Sequence, residues 1–182
     1  MKKVRTINSE IVINSTKENV WDLLFNRFGE VNNFNPLIEG SQPVGEVSGE
    51  VGAERTCDIS ANSKVHERIS DVRGRESFDI EILEGGLPMM DKMDATWELK
   101  QIGQEKTKAI LHFSYTTKPA FMGGILKRPM ARSLNGMLVG LKYHLETGGL
   151  VTKKNIKKIV REHKKLQAEE AFSASLDLAI AA

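Results

Sequence analysis

Between Val51 and Thr117 apolar and polar residues alternate in one segment after another, and the breaks between segments are too short to hold a helix. "VGAERTCDIS" and "KVHERISD", joined by "ANS", read as a hairpin. "RESFDIEILEGG" puts Phe78, Ile80 and Ile82 on one face and Ser77, Asp79 and Glu81 on the other, and it stops at a double glycine. "DATWELKQIG" and "TKAILHFSYTT" repeat the pattern, with Ala95, Trp97 and Leu99, then Ala109, Leu111, Phe113 and Tyr115, on the inner faces. Strands joined by short turns pair antiparallel, because parallel neighbours need a long crossover, usually a helix. A doubly wound parallel sheet is therefore excluded, and one apolar face per strand calls for a second layer to cover it.

The cover follows in the sequence. After Pro119, Leu126, Met130, Leu134, Met137, Leu138, Leu141 and Leu145 recur at spacings of three and four, which marks a long amphipathic helix. Pro129 either opens its main part or kinks it, and Gly148 and Gly149 end it. At the other end of the chain Ile7, Ile11 and Ile13 alternate along a strand from Arg5 to Asn14. "STKE" comes next, a capping box in which Ser15 and Glu18 start a helix containing Val20, Trp21, Leu23, Leu24 and Phe25. Gly29 is expected to end that helix, with a second short helix resuming around Phe34 and Pro36, then an edge strand and turn between Gly40 and Gly52. The expected architecture is α+β: a curved antiparallel sheet of about seven strands around a long C-terminal helix, with two short helices after the first strand.

A length of 182 residues suits one domain, residues 1–149, with a C-terminal extension over 150–182. A formal net charge of +2 gives no general case for nucleic acid. Cys57 is the sole cysteine, so no internal disulfide and no thiolate-based zinc site can form. Arg5, Asn8, Ser9 and Glu10 interrupt any signal-like apolar core near the start, and a cytoplasmic location is expected.

Val51-Gly52-Ala53 with Arg55 two positions on, then Val65 and Glu67-Arg68-Ile69, then the turn from Gly85 to Pro88 ahead of Trp97, form an ordered series. This series resembles the bacterial polyketide cyclase/dehydrase-like branch of the SRPBCC/START-like helix-grip superfamily. The superfamily also holds the START lipid-transfer domains, the birch pollen allergen family and the abscisic acid receptors. Residues 19–38 are similar to its paired helices and "ARSLNGMLVGLKYHLE" to its closing helix. The resemblance implies a sheet gripping the long helix around an apolar cavity, with the paired helices closing one end. Phe34, Pro36 and Leu37 then either face the cavity or fill core.

By alternation Arg55 shares a face with Cys57 and Ile59, and Glu67 with Val65 and Ile69, so Arg55 and Glu67 are expected to meet across the hairpin. Such a pair is either a structural brace or a polar anchor for a ligand, unless the register is off by one and both are exposed. Tyr115 either donates to a ligand oxygen or is an ordinary core tyrosine. Cys57, Phe78, Ile80, Trp97, Phe113, Leu134 and Leu141 complete the expected cavity lining. Met89, Met90 and Met93 are placed in the turn after Gly86, and Met122, Met130 and Met137 lie along the long helix. Among these, Met89, Met130 and Met137 are candidate ligand contacts. Gly136 and Gly140 either permit close packing or leave room for a ligand. His66 and His112 alternate outward, His144 lies on the long helix and His163 in the tail, so no metal set and no cofactor are expected. GxGxxG after a strand, GxxxxGK[ST], HExxH, GxSxG and CxxC are all missing.

From Val151 to Lys165 the chain carries seven basic residues against the acid Glu162, a net of +6 that leaves −4 for the rest. Ile156, Ile159, Val160 and His163 fall at helical spacing. The basic helix either packs on the domain or on a homodimer partner, or meets an anionic membrane surface through residues 153–165; nucleic acid is not expected. "SASLDLAIAA" reads as a mobile or exchanged end. The functional expectation is binding or transport of a small hydrophobic ligand such as a lipid, polyketide or aromatic metabolite. The alternatives are a cyclase or dehydratase in which Glu67 moves a proton while Arg55 or Tyr115 stabilises an enolate oxygen, and an interaction module acting through the tail.

Overall fold

The computed structural model describes residues 3–60, 63–86 and 89–180. Seven strands form one antiparallel sheet: β1 (Arg5–Ile13), β2 (Gly40–Val44), β3 (Glu54–Ser60), β4 (Ser63–Arg73), β5 (Ser77–Gly85), β6 (Met90–Gly103) and β7 (Lys106–Thr117). Their spatial order is β1-β7-β6-β5-β4-β3-β2. The first strand thus closes on the last, Ile7 opposite Phe113 and Ile11 opposite Ala109. Register shifts between Asp58 and Ser60, His66 and Glu67, and Ile69 and Asp71 mark bulges, which bend a sheet and increase its twist. The curved inner face carries the period-two set, with Cys57, Ile69, Phe78, Trp97, Leu99, Ala109 and Leu111 all buried.

α2 (Met122–Thr147) lies in the concavity and buries Leu134, Met137, Leu138 and Leu141. It begins before Pro129, which sits inside the helix and does not open it. Gly148 ends it at φ 72°, a left-handed turn that a side chain would strain. This is the helix-grip arrangement expected from the sequence.

The first helical segment departs from expectation. Its cap is Thr16, whose hydroxyl accepts from the Asn19 amide at 3.3 Å. Ser15 is instead buried, its carbonyl taken by the Thr107 hydroxyl at 2.8 Å. After α1 (Lys17–Trp21) the coil widens to a π-helical turn over Asp22–Asn26. It restarts as a 3₁₀ helix, Phe28–Asn33, kinked at Glu30. Gly29 therefore lies inside the second short helix, which precedes Phe34 and Pro36. A side chain at Gly29 would press on Pro43 at 3.3 Å, so the glycine lets the helix approach β2.

Met90 and Met93 belong to β6, not to a turn, and Met93 is buried. The Ala61-Asn62 part of the hairpin turn and Leu87-Pro88 lie outside the described residues. α3 (Ile156–Ile180) packs its first turns on α2, with Ile159 buried and Val151 buried just before it. The "SASLDLAIAA" end is helical to Ile180, and Ala181 and Ala182 lie outside the described residues. No helix among the described residues is long and apolar enough to cross a membrane.

Candidate functional site

Between the sheet, α2 and the short helices lies a cavity of about 130 Å³. β5, β6 and β7 contribute Ile80, Ile82, Ala95, Trp97, Leu111 and Phe113. The short helices and the turn after them contribute Leu24, Val31, Phe34 and Asn35, and α2 contributes Leu134 and Met137. Arg55 and Glu67 complete the lining. A wider groove of about 570 Å³ runs between α3, β1 and α2, but Glu10, Lys106, Lys142, Glu146, Lys164 and Glu170 line it with both signs of charge, which suits water better than an apolar molecule.

Arg55 and Glu67 face each other in the β3–β4 register. The Arg55 Nε and Nη2 both reach Glu67 Oε2 at 2.6 Å, and Nη1 donates to the Phe28 carbonyl at 2.7 Å. The guanidinium also lies 3.8 Å from the centre of the Phe28 ring. Arg55 is 7% exposed, so this network replaces the water that a buried charge gives up. It also ties the start of the second short helix to the sheet. The brace geometry is therefore present, and every nitrogen of Arg55 is already engaged. Asn35, at the other side of the lining, donates to the Met137 sulfur at 3.3 Å and accepts from the Leu37 amide at 3.1 Å.

The cavity brings together Phe34, Arg55, Glu67, Ile80, Trp97, Phe113, Leu134 and Met137 from the sequence-derived set. Seven other candidates lie elsewhere. Leu37 and Met89 are exposed, Met89 at φ 69° in the turn before β6. Cys57 is packed behind the ion pair, its sulfur 3.8 Å from Glu67 Oε2 and 3.6 Å from Ser41 Oγ, and burial pushes its thiol up to about 11. Phe78 belongs to an aromatic cluster with Trp21 and Phe25, its ring centre 5.5 Å and 5.3 Å from theirs. Leu141 is fully buried core and Met130 only packs against that core. Tyr115 is the core tyrosine: its hydroxyl donates to the Gly123 carbonyl at 2.8 Å, and burial raises its pKa. Leu24, Val31, Asn35, Ile82, Ala95 and Leu111 also line the cavity, outside the sequence-derived set. Strand alternation already put Ile82, Ala95 and Leu111 on the inner face; nothing local marks Asn35.

His66 pairs with Glu54 at 2.7 Å and His112 with Asn8 at 3.0 Å, both on the outer side. Among the described residues no group of three or more His, Cys, Asp or Glu side chains stands together as a metal site would require.

No family model matches the sequence, and no curated protein matches it. The fold does match solved structures. Ara h 8.0201 is 15% identical, with 80% of this chain and 99% of that one covered at a TM-score of 0.64. Major latex-like protein 151 from Panax ginseng is 18% identical, with 81% and 98% covered at 0.64. Norcoclaurine synthase from Thalictrum flavum is 14% identical, with 80% and 88% covered at 0.63. The chain has the helix-grip fold of the birch pollen allergen-like proteins. At these identities the likeness speaks for the fold alone.

Proposed function

We propose that the chain binds a small, largely apolar molecule in the cavity between β5–β7, α2 and the second short helix. The observation that carries this reading is a mostly apolar wall interrupted on one side by Arg55, Glu67 and Asn35. Binding sites share that make-up: mostly apolar, with a few placed polar groups that fix orientation. The volume narrows the ligand. A cavity of about 130 Å³ is close to one that takes a single benzene ring, and well short of the several hundred Å³ that larger ligands need. A single-ring aromatic compound fits this conformation; a lipid or polyketide requires α2 and the short helices to move apart. Burying about 200 Å² of ring surface offers about 5 kcal/mol gross, before ordering costs.

The cyclase or dehydratase alternative has less support. It needs a second group beside Glu67, yet Tyr115 is bonded to Gly123 and Arg55 is committed to Glu67 and Phe28. We keep the polyketide cyclase/dehydrase-like branch as the narrower family assignment, on the Val51–Ala53, Arg55 and Glu67–Ile69 series. Residues 1–149 are read as the binding domain, and 150–182 as an extension braced on it through Val151 and Ile159.

Native mass spectrometry of the full chain from its own host, with organic extraction of what co-purifies, tests the binding reading. A stoichiometric adduct of one small apolar compound is the expected result. A clean apo mass, with no compound binding on addition, contradicts it.

A further inference from the structure

We infer that the cavity selects a neutral ring compound bearing one hydrogen-bond donor, a phenol or an aromatic N–H, and turns away anions, because Glu67 and not Arg55 reads the ligand. The inference rests on the cavity-binding reading above. Glu67 lines the cavity, and its Oε2 is taken by Arg55 and the Cys57 thiol. Its other oxygen, Oε1, has no hydrogen-bond or ion-pair partner among the described residues. Arg55 is engaged in the opposite sense: Nε and Nη2 hold Glu67, Nη1 holds the Phe28 carbonyl, and the Phe28 ring covers one face of the guanidinium.

The three charge types that a ligand can present are therefore not equivalent. A ligand carboxylate meets an unshared acceptor and no uncommitted cation, which adds repulsion to the loss of its hydration. A ligand cation adds a second positive charge where Arg55 already balances Glu67, leaving a net charge in an apolar wall. A neutral O–H or N–H can donate to Glu67 Oε1, which no protein group among the described residues occupies, and brings no charge with it. The remaining wall, Trp97, Phe113, Leu134 and Met137 among it, then receives the ring.

Calorimetric titration of the full chain with phenol, anisole, toluene and benzoate tests this. Phenol should bind at least about tenfold more tightly than anisole or toluene, and benzoate should give no saturable heat. Leu134→Trp, which fills the cavity, should remove phenol binding. Phenol and toluene within about twofold of each other would overturn the donor inference while leaving cavity binding standing. Benzoate as the tightest ligand would return the anchoring role to Arg55 and overturn it. Undiminished phenol binding by a folded Leu134→Trp protein would place the site elsewhere, and no saturable binding by any of the four would bring down both readings.

Discussion

Gly140 in α2 lies so close to the Phe34 carbonyl that a methyl group at position 140 would overlap that oxygen. The notch lets α2 pass under the turn that follows the second short helix, and the Val151 amide then closes on the Asn33 carbonyl at 2.9 Å. That contact explains why a second helix is built here: it fixes Phe34 and Asn35 against α2 at the end of the cavity.

Gly140→Ala should therefore destabilise by about 2 kcal/mol, despite the better helix propensity of alanine, because the overlap is with backbone and cannot be relieved by a rotamer change. Gly136→Ala should do the reverse. Its nearest neighbour is Ile156 Cγ1 at 4.0 Å, so up to about 1 kcal/mol of helix propensity should appear as added stability. Urea unfolding of the two variants checks the contrast, and equal shifts of one sign would contradict it.

Arg55→Ala should cost about 3 kcal/mol, since it leaves Glu67 without its cation and the Phe28 carbonyl without its donor. The double change Arg55→Met with Glu67→Leu should recover most of the loss, because apolar side chains of similar volume need no partner. A double variant as unstable as the single one would show that the Phe28 tether, and not the buried charge, dominates.

Cys57 carries a pH signature. Burial lifts its thiol from 9.0 to about 11, so between those values the unfolded chain releases a proton that the folded chain keeps. Stability should fall as pH rises through that window, and the fall should be smaller in Cys57→Ala. Maleimide labelling at neutral pH should be slow in the native protein and fast in urea. Rapid native labelling would mean that the strand pair around Cys57 opens readily.

Ending the chain after Gly149 should cost about 3 kcal/mol or more, the apolar burial of Val151 and Ile159 together. Ending it after Gln167 should change stability by less than about 0.5 kcal/mol, since Phe172 and the residues around it are exposed. Thermal unfolding of the two truncations separates a brace from a passive tail.

Much of the fold was legible because strand alternation and helical spacing are signals written every second or every third to fourth residue. Trp97, Leu99 and Leu111 took the inner face that alternation assigns them, and Arg55 met Glu67 in register. The cap was not legible locally: Ser15 and Thr16 are both competent caps, and the demand of Thr107 for the Ser15 carbonyl is a long-range fact. The cavity was only partly legible, for a related reason. Phe78 and Phe113 share one inner surface, and which of them touches empty space depends on how Trp21 and Phe25 pack over the sheet. Asn35 carries no sequence signal because its place depends on the notch at Gly140, which lies over a hundred residues away in sequence.

Methionine methyl NMR reports on whether the space beside Met137 and Leu134 receives a ligand. Met137 lines the cavity, whereas Met89 is exposed in the turn before β6. With the methyl carbons labelled and toluene or phenol titrated in, Met137 should show a saturable shift and Met89 none. Shifts confined to Met89 and other surface methionines, with Met137 unmoved, would contradict it.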